Sequence, residues 1–417
     1  MSVTLDILEI GARGDGIAEL DGKRLFVPFT LPAETVEAEP RDERGDGVAC
    51  DLLEVLAPSR HREAAPCAHF GVCGGCALQH WRRDIYTDWK VDLIRRALQQ
   101  RGVKAPPFMP PLAGEPTERR RADIVLRRQG RKVLAGFHER ASQNVVDVGT
   151  CIVARPAINA ALAALRLAMV DVLSDGAAAD AILNETDGGL DVLLRPHKHL
   201  ALSQPLQEGL VALAEQANFA RLSWGDRARA EPVVIRRAPS LMLGDVTVEP
   251  PPGVFLQATK RAEVTMRAAV TAWLGDAAHV ADLFAGIGAL TLGRTGRLSL
   301  FESDKRAVTS INAAARKPGG NRVVAHRRDL FRNALTAAEL DMFDSIVLDP
   351  PRAGAAAQGA ELAQSKVKRI VYASCDPSSF ARDVRGLQDA GYRLEKLMPI
   401  DQFLWSAHVE LIALLTK

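Results

Sequence analysis

The sequence predicts a multidomain α/β protein. It has a small N-terminal β-barrel over residues 1–58, a central α+β region over 59–248, and a C-terminal doubly wound sheet over 249–417. Three observations carry this reading. The first 58 residues hold short alternating stretches broken by Gly-rich turns, as small barrels do. From about residue 250, apolar runs alternate with helical segments, which gives a parallel sheet with helices on its faces. Between them lie three cysteines within ten residues and a cluster of arginines, which fit neither pattern. At roughly 100–200 residues per domain, 417 residues leave room for two to four domains.

In the barrel, strands are predicted over 3–10 and 17–20 around the turn 11–16, then over 25–29, 35–40 and 48–56. Residues 81–101 have helical spacing, with Trp89, Leu93, Ile94, Ala97 and Leu98 on one side. Five prolines make 105–116 a loop, and residues 119–137 alternate as strand, turn and strand. Residues 157–173 form an Ala-rich amphipathic helix, and 157–245 hold no readable motif beyond mixed helices and strands. The doubly wound sheet takes strands at 279–284, 298–301, 322–325, 345–348, 369–373 and 408–415.

An apolar fraction of 47% with 25% charged residues excludes disordered and collagen-like classes. No apolar run approaches the roughly 18 residues of a membrane helix. The start MSVTLDILEI lacks a basic segment before an apolar core and reads as no signal peptide, so a cytoplasmic protein is expected. The net charge of +2 hides an uneven distribution. Residues 1–58 carry 13 acidic and 5 basic residues, and residues 59–156 carry 18 basic and 9 acidic. A basic segment beside an acidic one suggests a localised anion-binding face.

The run VADLF ends in AGIGALTL, where Gly286 and Gly288 let the backbone approach a ligand at a helix start. Glu302, 14 residues after Gly288, ends the next strand where a carboxylate can grip the hydroxyls of a ribose. The third Gly of a dinucleotide fingerprint is missing, so S-adenosylmethionine fits better than NAD.

Asp349-Pro350-Pro351-Arg352 ends the fourth strand, Cys375 ends the fifth, and Glu410 opens the last. These positions put a thiol and two carboxylates on one rim of the sheet. Methyl transfer to nitrogen or oxygen needs no nucleophilic thiol. Carbon 5 of a pyrimidine does need one, because a thiolate adding to carbon 6 makes carbon 5 nucleophilic. A base must then remove the carbon-5 proton so that the thiolate can leave. Cys375 suits the first role and Glu410 the second.

The segments FLQAT (255–259), DLFAGIG (282–288), LDPPRAG (348–354), YASCDPSSFARD (372–383) and AHVE (407–410) resemble the motif series of bacterial RNA 5-methyluridine methyltransferases. The resemblance implies a Rossmann-like class I methyltransferase domain with Gln257, Phe284, Ala289, Glu302 and Asp349 lining the donor site. It also implies Cys375 as nucleophile and Glu410 as base. Ala285 stands where Cys is usual, Asp376 where Asn is usual, Ala289 where a polar residue is frequent, and Thr259 where Asn is common. Residues 1–58, with GDGIAEL and LFVPFTLPAETVEAE, resemble the TRAM domain, a small OB-like RNA-binding barrel.

Cys67, Cys73 and Cys76 follow C-x5-C-x2-C, with Cys151 farther on. By spacing, four thiolates suit tetrahedral zinc or an iron–sulfur cluster, and Gly74-Gly75 favours a cubane. The stretch CAHFGVCGGCALQHW resembles the 4Fe–4S segment of the ribosomal-RNA members of the family, with Cys151 as fourth ligand. Methyl transfer through a thiolate needs no electrons, so that cluster is structural or RNA-facing. The CxxxCxxC triad of radical S-adenosylmethionine enzymes is absent.

Arg119, Arg120, Arg121, Arg127, Arg128, Arg131 and Lys132 fall within 14 residues and read as phosphate contacts. A flipped uridine would sit near Phe255 and the Asp349 loop. The expected protein is a monomer acting on 23S ribosomal RNA, with transfer RNA as the alternative substrate. A cytosine-5 enzyme is disfavoured because Pro351-Arg352 stands where such enzymes carry Pro-Cys. A non-catalytic RNA-binding or assembly factor is disfavoured because Cys375 and Glu410 are both present.

Overall fold

The computed structural model describes residues 1–198, 200–316 and 322–417. Its fold is mixed α/β. The N-terminal six-stranded sheet runs, edge to edge, Val3–Asp6, Thr35–Arg44, Gly47–Ala57, Lys23–Val27, Gly16–Leu20 and Glu9–Ile10. Alternation buries Leu5, Ala18, Leu25, Val27, Val36 and Ala38 on one face. Cys50 belongs to this core.

The acidity of this sheet is partly used inside the molecule. Buried Asp15 pairs with Arg44 and with Arg140, buried Glu34 pairs with Arg62 at 2.5 Å, and Glu9 pairs with Arg96 at 2.5 Å. Arg62, Arg96 and Arg140 all come from the basic segment 59–156. The opposed charges of these two regions are thus partly paired across their boundary, with Asp15 and Glu34 buried and Glu9–Arg96 at the surface.

Helix Arg83–Gln100 is the hinge pin of the molecule. Trp89 packs on Trp81 and donates its indole N–H to the Ile10 carbonyl at 3.3 Å, which ties the helix to the N-terminal sheet. Lys90, wholly buried one residue on, donates to Asp401 Oδ1 at 2.5 Å and to the Phe403 carbonyl at 3.0 Å. Tyr86 donates to the other oxygen of Asp401 at 3.0 Å. Removing one partner from a buried ion pair costs about 3–5 kcal/mol, so this contact fixes the 401–409 connection firmly.

The central seven-stranded sheet runs Glu231–Ile235, Arg221–Trp224, Gly189–Pro196, Ala178–Thr186, Arg121–Gln129, Lys132–His138 and Val145–Asp147. Helices Pro156–Val172 and Gln204–Gln216 bury Ile158, Leu162, Leu165, Leu210 and Leu213 against it. The arginine-rich hairpin is Arg121–Gln129 with Lys132–His138, paired antiparallel.

The C-terminal seven-stranded sheet has the order Val323–Arg327, Arg297–Glu302, His279–Leu283, Ser345–Leu348, Arg369–Ser374, Glu410–Thr416 and Arg393–Ile400. The first five strands are parallel. The expectation of a wholly parallel sheet is corrected here: Glu410–Thr416 runs antiparallel to both its neighbours. The connection 401–409 is too short for a crossover, which needs about a dozen residues. Because the strand is reversed, it begins at the rim where the parallel strands end. Among the described residues no helix is long and apolar enough to cross a membrane.

Candidate active site

Strand His279–Leu283 delivers a run of tight turns at its carboxyl end. Phe284 has φ 63°, Gly286 φ 56° and Gly288 φ 77°. A Cβ on Gly288 would meet Leu292 Cγ at 2.6 Å, so that position must be glycine. The α-helix expected after this turn is replaced by successive turns through residue 293, because left-handed glycines at 286, 288 and 293 interrupt it. Glu302 reaches this loop: one carboxylate oxygen accepts from Gly286 N–H at 2.9 Å and the other from Asp304 N–H at 2.8 Å. The Phe284 ring lies 5.3 Å from that of exposed Phe331. Ala289 is half-buried, and its carbonyl accepts from Arg267 at 2.8 Å.

The rim holds an unusual run of buried acids. Asp282 accepts from Thr291 through one oxygen at 2.5 Å, while its Oδ1 has no partner among the described residues. Burial pushes its carboxyl up to about 7. Asp349 is driven well above the usual carboxylate range by burial, then by Glu410 and Asp282. Glu410 is 4% exposed, and burial pushes it up to about 7 against the hydrogen bond from Gln402. Asp349, raised by both Glu410 and Asp282 with no cation opposing them among the described residues, forms with these acids a site suited to a positively charged ligand.

Ser374 faces Leu411 across the antiparallel pair, so the next residues toward the rim, Cys375 and Glu410, lie side by side. Burial pushes the Cys375 thiol up to about 12, reinforced by Glu410 and Asp349 and opposed by Arg352. Asp376 caps helix Pro377–Asp389 by accepting from Ser379 N–H, and Thr259 caps Lys260–Leu274 by accepting from Ala262 N–H. Both departures from the family pattern thus keep good N-caps.

Gln257 joins the two carboxylates. Its Nε2 donates to Asp349 at 3.2 Å, its Oε1 accepts from Gln402 Nε2 at 2.7 Å, and Gln402 Nε2 also donates to Glu410. Gln402 carries no mark in the sequence, because it lies in a loop outside every apolar run. Arg120 is corrected from a phosphate contact to an internal support: it is 2% exposed, paired with buried Glu263, and donates to the Gln257 carbonyl at 3.1 Å. Its neighbour Arg121 stacks over exposed Phe255 with its guanidinium carbon 4.7 Å from the ring centre. Arg128 donates to the Gly130 and Leu173 carbonyls. Arg119 and Arg127 are half-buried, and Arg131 and Lys132 are exposed at the hairpin tip.

Cys67, Cys73, Cys76 and Cys151 line one cavity of about 280 Å³ together with Gly74, Gly75, Arg119 and His408. Gly75 N–H points at Cys73 Sγ, 3.5 Å away. Gly74 N–H donates to His138 at 2.9 Å, where a Cβ would clash. Among the described residues no three His, Cys, Asp or Glu side chains are close enough to grip a single metal ion. The expected iron–sulfur domain is therefore not shown. His408 on this wall also contacts Arg352 of the catalytic rim.

Residues 321–417 match the family model described as tRNA (Uracil-5-)-methyltransferase. The chain is 41% identical to an uncharacterized RNA methyltransferase of Rhizobium meliloti, over 100% of this chain and 99% of that one. It is 31% identical to the 23S rRNA (uracil(1939)-C(5))-methyltransferase RlmD of Chromohalobacter salexigens, over 99% of this chain and 89% of the relative. The chain belongs to the RNA uracil-5-methyltransferase family. Its fold is that of the Pyrococcus abyssi tRNA (uracil-54, C5)-methyltransferase crystallised with S-adenosyl-L-homocysteine, with TM-score 0.76 at 21% identity and 99% of each chain covered.

Proposed function

We propose that this methyltransferase modifies carbon 5 of a uridine in 23S ribosomal RNA, with Cys375 as nucleophile and Glu410 as base. The carrying observation is the adjacency of Cys375 and Glu410 on the rim, beside Asp349. S-adenosylmethionine fits the residues present: the orphaned Asp282 Oδ1 and the uncompensated Asp349 suit a cationic donor, and Glu302 and Gly286 line the loop beside them. When bound, it supplies an electrophilic methyl group. Gln257, Phe284, Ala289, Glu302 and Asp349 would hold it, with Gly286 and Gly288 shaping the loop.

The chain's own part runs in three steps. Cys375 Sγ, as thiolate, bonds to carbon 6, and the carbon 5–carbon 6 electrons move through carbon 4 onto its carbonyl oxygen, giving an enolate. Carbon 5 then bonds to the methyl group with the enolate electrons, as the methyl–sulfur bond breaks and its electrons stay on the donor's sulfur. Glu410 accepts the carbon-5 proton, the ring double bond reforms, and the carbon–sulfur bond breaks to return the thiolate. Phe255 and Arg121 offer a stacking platform for a base outside its helix, and Arg127, Arg131 and Lys132 offer phosphate contacts. Purified protein with radiolabelled donor is expected to place 5-methyluridine in 23S RNA, located by mass mapping. Labelling confined to transfer RNA, the substrate in the family model's description, would overturn the ribosomal reading. No labelling of any RNA would overturn the function.

The four-cysteine cavity is proposed to hold a 4Fe–4S cluster. A cubane's thiolates bind four different irons and stand farther apart than the ligands of one ion, which suits thiols that ring a cavity without closing on a point. Anaerobically purified protein is expected to carry about four iron and four sulfide per chain, and Cys76→Ala to lose them. One zinc per chain without sulfide would overturn the cluster.

A further inference from the structure

We propose that Gln402 is the positioning residue for the proton-removing carboxylate, orienting Glu410 and linking it through Gln257 to Asp349. The proposal rests on the reading of Glu410 as base and goes beyond it. All of the Gln402 amide is committed. Its oxygen accepts from Ala258 N–H at 2.8 Å, and its two N–H groups go to Gln257 Oε1 and Glu410 Oε2. The oxygen must face the Ala258 N–H, so the amide cannot flip, and the NH2 group is compelled to face the carboxylate.

The side chain also has nowhere to go. Asp401, one residue earlier, is gripped by Lys90 and Tyr86, and its own N–H donates to the Leu112 carbonyl at 2.8 Å. Trp405, three residues later, accepts from the N–H groups of Ala77 and Leu78, next to Cys76. Gln402 is thus fixed by helix Arg83–Gln100 on one side and by the cysteine segment on the other.

The titratable groups that act on Glu410's surroundings are Asp349 from strand Ser345–Leu348 and Cys375 from strand Arg369–Ser374, with Arg352 opposing them at Cys375. Burial is what disfavours a charged Glu410. Among the described residues, the hydrogen bond donated by Gln402 is the contact that favours it. The link through Gln257 makes the same amide pair touch the carboxylate on the donor side, so orientation of the two acids is shared.

The test uses RNA tritiated at carbon 5 of uridine, following tritium release in a single turnover across pH, with adduct formation on 5-fluorouridine RNA alongside. Gln402→Met keeps the volume and removes the donor. It is expected to form the adduct at the wild-type rate, while the acid limb of tritium release moves up by about one to two pH units, the size of one hydrogen bond to an ionised group. Gln402→Glu, which keeps the shape but faces Glu410 with an acceptor, is expected to move the limb at least as far. An unmoved limb in both variants overturns the proposal. Equal loss of adduct formation and release in both also overturns it, because Gln402 then serves folding or binding. If Glu410→Gln releases tritium normally, the assignment of the base fails and the proposal with it; a stalled Glu410→Gln beside an unmoved Gln402→Met overturns the proposal alone.

Discussion

Cys375→Ala is expected to abolish methylation of RNA and, with it, the covalent complex that 5-fluorouridine RNA forms with the intact protein. Carbon 5 of uracil is a poor nucleophile until a thiolate bonds to carbon 6 and leaves an enolate across carbons 4 and 5, so no slower thiol-free route remains. Fluorine at carbon 5 cannot leave as a proton, so the wild-type adduct persists and runs as a shifted band on a denaturing gel. The variant should give no band and no label above background. It should still bind the methyl donor, because the groups expected to hold the donor lie on the Gly286 loop and at Asp349 rather than on the thiol. Methylation retained by the variant would sink the mechanism. Loss of donor binding would show instead that the variant has disturbed the rim.

The site's chemistry was legible in the sequence wherever a reactive residue closes an apolar strand. Asp349 and Cys375 each follow a run of fully buried residues, so strand periodicity alone puts them on the rim. Glu410 opens its strand instead, so only the antiparallel direction, which apolar periodicity does not show, brings it to the same rim. Strand Arg393–Ile400 was missed because it lies at the sheet edge and carries Arg393, Glu395 and Lys396, leaving only a short apolar run interrupted by Pro399. The central hairpin Ala178–Thr186 with Gly189–Pro196 was missed although it had a signal. Its register pairs Thr186 with Gly189 across Asp187-Gly188, a two-residue turn that favours those residues.

Charge runs hid more than they told. Arg120 and Arg121 are neighbours in one basic stretch, yet one is sealed against Glu263 and the other stacks on exposed Phe255. Glu263 is far along the chain, and no local pattern separates a solvated arginine from one with a distant buried partner. Gln402 was invisible for a related reason. A neutral amide in a loop becomes informative only when the groups on either side of it turn out to be carboxylates.

Glu410→Gln is expected to stop the reaction two steps later than Cys375→Ala, with ordinary uridine RNA in place of the fluorinated analogue. The nucleophile and methyl transfer are intact, but nothing accepts the carbon-5 proton, so the methylated RNA stays bonded to Cys375. Turnover should fall by about 10²–10⁴-fold, the range for loss of a positioned base, while a protein–RNA band appears that wild type does not accumulate. Normal turnover, or absence of that band, would remove Glu410 from its role. The same substitution has a stability signature of predictable sign. Burial raises the Glu410 carboxyl from the usual 4.5 to about 7, so between these values the folded protein keeps a proton that the unfolded chain has released. Stability then falls as pH rises through that window and stays lower above it. Glutamine cannot ionise, so Glu410→Gln should melt close to wild type at pH 5 and above it at pH 8. A variant that is catalytically stalled yet more stable at alkaline pH would identify Glu410 as an acid held in an unfavourable environment for its chemistry, because a residue kept only for packing would lose stability at both pH values.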